Sequence, residues 1–100
     1  MATLASMILS YRDKRTAAFA AGTPYRAFQS IERQAWRRLE ILEAATTLDD
    51  LRALPSNGLE ALRGDRCGQW SIRINDQWRI CFEWPPSAPG PSNVEITDEH

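Results

Sequence analysis

Histidine and lysine occur once each in this chain, as His100 and Lys14, and cysteine occurs twice, as Cys67 and Cys81. With no second histidine and no cysteine pair at ligand spacing, no metal site is expected. The two cysteines form neither a C-x-x-C nor a disulfide framework, which points to free thiols in a cytoplasmic protein. Long apolar runs are also missing: the longest, such as Ala17–Ala21, reach four or five residues. A membrane-spanning helix needs about 20. Met1 to Ser6 lacks a basic stretch followed by an apolar one, so no secretory signal is expected. No phosphate-cradling glycine loop and no Gly-x-Ser-x-Gly motif occurs. Charge of one sign is absent as well. Twelve Lys and Arg against 13 Asp and Glu give a net charge of −1, which excludes a uniformly basic nucleic-acid binder but permits a local basic patch.

The 100 residues, 43% of them hydrophobic, suffice for one small domain with a single core. Residues 1–6 are expected as an N-terminal extension and residues 7–100 as the domain. Eleven arginines stand against the single lysine. The planar guanidinium fork matches phosphate, although an arginine-biased genome would produce the same count.

Met7 to Tyr11 is a short apolar run that predicts a strand, and Arg12 to Ala21 predicts a short helix ended by Gly22. Thr23-Pro24 reads as an N-cap and first turn of a second helix. Along that helix Phe28, Ile31, Ala35, Leu39 and Leu42 form one apolar face, with Arg33, Arg37 and Arg38 mostly off it. Thr47 and Asp50 have capping-box spacing for a third, short helix carrying Leu48, Leu51 and Leu54; Pro55 ends it and Ser56-Asn57-Gly58 makes a turn.

From Leu59 the periodicity changes from 3.6 to 2. Trp70, Ile72 and Ile74 alternate with polar residues, as do Trp78, Ile80, Phe82 and Trp84. A three-residue loop, Asn75-Asp76-Gln77, sets Ile74 opposite Trp78 and Ile72 opposite Ile80; a two-residue loop would set Ile72 opposite Arg79. Side-chain alternation favours the first register, although Gln77 suits poorly the positive φ that such loops often use. Pro85 to Ser92 must be an exposed loop, and Asn93 to Thr97 a last strand burying Val94 and Ile96. The expected fold class is α+β, two or three N-terminal helices packed on one face of a small, mostly antiparallel sheet.

On the other face this register sets Arg73 opposite Arg79, a like-charge cross-strand pair. Either acidic neighbours such as Glu83 neutralise it, or the face holds an anion. Arg63 and Arg66 lie just before the hairpin, so four guanidiniums come from three neighbouring segments. An isolated C-terminal histidine such as His100 is ordinarily inert, and both cysteines read as core or sheet residues.

The run Leu59-Glu60-Ala61-Leu62-Arg63-Gly64-Asp65-Arg66, followed by Gln69 to Phe82 and by Val94-Glu95-Ile96-Thr97-Asp98-Glu99-His100, resembles HigB-type toxins of the RelE superfamily. The likeness runs from about Met7 to His100 and includes Ala44-Ala45-Thr46 and Asp50-Leu51. What the resemblance implies is a RelE-like fold and a ribosome-dependent endoribonuclease that cuts messenger RNA in the decoding site. It also implies a HigA-type helix-turn-helix antitoxin encoded beside it. The partners expected are thus that antitoxin, the ribosome and mRNA, with DNA reached only through the antitoxin, and no membrane. By motif position the family's roles fall on Arg79, Asp98 and His100, and Arg63 stands where a basic residue, usually lysine, lies beside the RNA. Two positions depart from the family pattern: Glu99 stands where many members have tyrosine, and Glu60 where some have histidine.

Metal-independent, cofactor-free RNA cleavage needs a base for the 2′-hydroxyl, an acid for the leaving 5′-oxygen, and cations around the phosphate. Histidine titrates near neutrality and serves as either acid or base. Asp98 would orient it, Arg79 and Arg63 would bind the phosphate, and Glu60 or Glu99 would be the second proton carrier. The expected catalytic set is Arg79, Asp98, His100 and Glu60, with His100 beside Arg79 and Asp98 at the open sheet face. The expected RNA-contacting set is Arg63, Arg66, Arg73 and Glu99. Arg33, Arg37 and Arg38 would receive an acidic antitoxin surface. The alternative is a catalytically weak or inactive module of the same fold that binds RNA or the antitoxin.

Overall fold

Alternation in the two aromatic-rich segments sets the sheet. In a computed structural model, which describes residues 7–98, β2 (Gln69–Arg73) and β3 (Trp78–Glu83) pair antiparallel. Trp70 faces Phe82, Ile72 faces Ile80 and Arg73 faces Arg79, the register that the apolar pattern demands. The connection is closed by a side chain. Asn75 Oδ1 accepts from the backbone N–H groups of Gln77 and Trp78, both at 2.8 Å, and Gln77 adopts no positive φ.

Two edge strands complete a four-stranded antiparallel sheet in the order β1-β2-β3-β4, with β1 at Glu60–Ala61 and β4 at Ser92–Asp98. One face is covered by α1 (Lys14–Ala20), α2 (Glu32–Ala44) and α3 (Leu48–Arg52). Phe19, Phe28, Ile31, Ala35, Leu39, Leu42 and Leu51 of the helical layer form one cluster with Ile72, Ile80, Phe82, Val94 and Ile96 of the strands, each at most 2% exposed. Phe28 anchors the cluster, edge-on to Phe19 at 5.3 Å and to Trp78 at 5.6 Å between ring centroids. The fold is the α+β arrangement expected, with three helices on one sheet face.

Local chemistry accounts for the helix ends. Asp13 caps α1 by accepting from the Thr16 N–H at 3.1 Å. Thr47 and Asp50 form the reciprocal capping box that starts α3. Asp50 also accepts from the Thr46 N–H and hydroxyl, at 2.9 and 2.8 Å.

Four expectations are corrected. The second helix does not begin at Thr23-Pro24: a 3₁₀ turn at Arg26–Ile31 precedes α2, its three-residue period stacking Phe28 and Ile31 on one side. Met7 to Tyr11 is not a strand; Tyr11 alone bridges Val94, in parallel. Pairing stops there because the chain turns into α1 at Asp13, and Thr16 Oγ1 rather than backbone takes the Ile96 N–H, at 3.1 Å. The proline-rich segment is exposed only in part. Gly90 and Pro91 are buried, and a Cβ on Gly90 would stand 1.9 Å from the Met7 carbonyl oxygen, so that approach requires glycine. Trp78, which the alternation sets on the apolar side with Ile80 and Phe82, is not enclosed as they are but half-buried at the sheet's end.

Two measurements test this account. Thr16→Val should destabilise the protein by about 1–3 kcal/mol in urea unfolding, because the buried Ile96 N–H loses its acceptor, whereas Thr16→Ser should cost much less. Hydrogen bonds from Thr46, backbone first, then hydroxyl, and then from Thr47 hold the Asp50 carboxyl below its ordinary pKa. A depressed carboxyl contributes stability above its unfolded pKa and loses it as pH falls through the folded one. Stability should therefore drop on acidification below the usual carboxylate range, and Asp50→Asn should show a shallower drop in pH-dependent unfolding.

Candidate functional site

Strand pairing places polar side chains in rows on the face away from the helices. Glu60 stands opposite Ser71, Ser71 opposite Cys81 and Cys81 opposite Glu95; the next row holds Arg73, Arg79 and Thr97. Arg73 and Arg79 would repel if both stood straight up. They diverge instead. Arg73 turns outward to Asp76, whereas Arg79 lies down into the sheet, its side chain 10% exposed.

Arg79 is tied at two nitrogens. Nε donates to Ser71 Oγ at 2.7 Å and Nη2 to the Gly58 carbonyl oxygen at 2.7 Å, with the Glu60 carboxylate 3.3 Å from Nη2. Gly58 has φ +54, and its backbone passes so close to β2 that an added Cβ would meet Arg73 Cβ at 3.4 Å. The preceding residue, Asn57, is fully buried and ties this turn to the helices. Its Oδ1 accepts from Arg38 Nη1 of α2 at 2.7 Å, and its Nδ2 donates to the Leu51 carbonyl of α3 at 3.0 Å.

Arg66 reaches over the same face from the turn before β2. Its Nη2 donates to Glu95, and its Nη1 lies 3.5 Å from Cys81 Sγ. Arg63 is exposed and has no ion-pair partner among the described residues. Arg66, Arg73 and Arg79 are thus each matched to a carboxylate, but unequally. The Glu60 and Asp76 side chains are 61% and 95% exposed, so these two carboxylates are solvated partners whose pairing with arginine is weak.

The structure brings together Glu60, Arg66, Arg73 and Arg79 on one face. It does not bring Asp98 there. Asp98 pairs with Trp78, on the helix-side face at the sheet's end, and accepts from Gln77 Nε2 at 2.9 Å. Adjacent β3 residues, Trp78 and Arg79, point to opposite faces, and the expected grouping of His100 with Arg79 and Asp98 turns on a residue outside those described. Glu99 and His100 lie outside the described residues. Neutralisation comes from Asp76 and Glu60, not from Glu83, which pairs with Gln69 further along the hairpin. Of the three helix arginines only Arg33 and Arg37 are exposed; Arg38 is half-buried on Asn57. Ser71, Gly58 and Asn57 were missed as site residues. Alternation alone put Ser71 on the arginine face, but Asn57 read as an ordinary turn residue.

The family model of HigB-like toxins, described as the RelE-like toxin of the type II toxin-antitoxin system HigB, matches residues 9–99. This chain belongs to that family. The HigB-like chain is 49% identical to Toxin HigB-1 of Vibrio cholerae over 55 residues, which is 55% of this chain and 58% of that toxin. It is 35% identical over 48 residues to an uncharacterised protein of Haemophilus influenzae, 48% of each chain. The matched segments thus span about half the length of these relatives. Among solved structures, a YoeB/ParE toxin from Agrobacterium tumefaciens superposes with a TM-score of 0.56 over 93% of this chain and 98% of its own, at 16% identity. That likeness shows a shared fold.

The Asn57 bridge is testable. Asn57→Ala removes the acceptor of a half-buried guanidinium and a donor to α3, and should lower unfolding free energy by about 1.5–3 kcal/mol in denaturant titration.

Proposed function

We propose that this HigB-like chain is a ribosome-dependent endoribonuclease that cleaves messenger RNA, with the arginine face as its RNA site. The observation that carries this reading is Arg79. Its guanidinium is nearly buried, positioned by two hydrogen bonds to uncharged oxygens, and paired with the solvent-exposed carboxylate of Glu60. A phosphate oxygen competing for such a cation displaces a weak, hydrated ion pair rather than a buried one. Arg73, paired with the still more exposed Asp76, offers a second exchangeable cation, and Arg63 a third along the path of the RNA backbone.

In this reading the 2′-hydroxyl loses its proton and attacks the adjacent phosphorus. The P–O5′ bond breaks to leave a 2′,3′-cyclic phosphate and a protonated 5′-hydroxyl, and Arg79 stabilises the charge that builds on the non-bridging oxygens. Glu60, 3.3 Å from Arg79, takes or gives a proton there. His100, Asp98 and Glu99 complete the proposed set, His100 as the second proton carrier near neutral pH. The messenger is presented by the ribosome, which places the activity in the cytoplasm. A HigA-type helix-turn-helix antitoxin inhibits the toxin and provides the indirect link to DNA. Its acidic surface would meet Arg33 and Arg37.

Purified ribosomes programmed with a defined message test this directly. The wild-type chain should cut the message at the decoding site. Arg79→Ala should lower cleavage about 10²- to 10³-fold, and deletion of His100 by about 10²-fold or more, with both variants folded by circular dichroism. A chain that binds programmed ribosomes and never cuts would instead be the binding module.

A further inference from the structure

A guanidinium withdrawn from water is usually paired with a carboxylate. Arg79 has such a pair in Glu60, but its direction is set by other groups. Two bonds of 2.7 Å go to uncharged oxygens, Ser71 Oγ and the Gly58 carbonyl, while Glu60 stands further off at 3.3 Å. Ser71 is fully buried, on a strand whose flanking residues Trp70 and Ile72 belong to the apolar side. Nothing about core packing requires a hydroxyl there. A hydroxyl acceptor fixes the direction of Nε–H, and with the Gly58 carbonyl on Nη2 it fixes the plane of the whole guanidinium. Neither acceptor cancels its charge. A carboxylate at position 71 would orient Arg79 equally well and neutralise it.

We propose that Ser71 is a positioning residue: its hydroxyl sets the plane of Arg79 toward an RNA phosphate while leaving the positive charge intact. This inference rests on the RNA reading of the arginine face given above. Ser71 itself touches no substrate and acts through Arg79. Misorienting a charge-stabilising group is felt in the transition state more than in substrate binding, so Ser71 belongs to kcat rather than KM.

The test is cleavage of ribosome-bound message by the full chain and four variants, Ser71→Ala, Ser71→Thr, Arg79→Ala and the double variant Ser71→Ala/Arg79→Ala. Ser71→Ala should lower kcat about 10- to 100-fold and leave KM within a few-fold. Ser71→Thr keeps the hydroxyl and should recover most of the rate. In the double variant Ser71→Ala should cost nothing beyond Arg79→Ala, the result a merely structural role would not give. If Ser71→Ala does not fold, Ser71→Cys, of similar size and a weaker acceptor, is read by the same criteria. A wild-type kcat in Ser71→Ala, or losses that multiply in the double variant, overturns the positioning role and leaves the RNA reading standing. Full cleavage by Arg79→Ala, or none by the wild type, overturns both.

Discussion

Burying Ile72 against Ile80 on one face of the hairpin forces Arg73 against Arg79 on the other, and much of the molecule follows from that conflict. Two guanidiniums at a cross-strand pair repel, and a sheet that slipped by one residue to separate them would expose its apolar face. Burial of several large side chains outweighs a like-charge contact worth a fraction of a kcal/mol, so the register holds and the arginines part. One goes to solvent with Asp76. The other turns into the sheet, where Ser71 and the 58-turn receive it.

That turn joins the two layers. Asn57 is bonded to α2 and α3 through Arg38 and the Leu51 carbonyl, and the next residue offers its carbonyl to Arg79. The helical layer and the arginine face are therefore connected through two consecutive residues, without side chains from the apolar cluster in between. Gly58 permits the connection because its left-handed backbone aims the carbonyl at Arg79 and its missing side chain spares Arg73 a closer contact. A contact on α2 that took Arg38 away from Asn57 would loosen this turn first.

The net charge of −1 and an arginine-rich sheet face coexist because of where the negative charges sit. The carboxylates of Asp76 and Glu60, beside Arg73 and Arg79, are solvated, whereas the guanidinium of Arg79 is held. Net charge averages over this difference, although affinity for a phosphate depends on it. Arg66 behaves otherwise. Its partner Glu95 is only 18% exposed, which makes that pair a fixed tie between the β1–β2 turn and β4 rather than an exchangeable site.

Local pattern determined the hairpin register, the capping box of α3, the apolar face from Phe28 to Leu42 and the α+β class, because each depends on residues close in sequence or on strict alternation. The likeness to HigB-type toxins was legible for the same reason: its runs Leu59–Arg66 and Gln69–Phe82 lie only two residues apart. Strand alternation also told which side Arg79 would take. What surrounds Arg79 was decided only in three dimensions. Gly58 and Glu60 come from 21 and 19 positions earlier in the chain, and Asn57 meets Arg38 across 19 residues, distances at which no periodic signal survives. The placement of Asp98 was likewise a tertiary outcome, since the β3–β4 register depends on where the proline-rich connection lets β4 begin. A sequence states which side chains alternate; only the folded sheet, by closing loops of differing length, sets which of them meet.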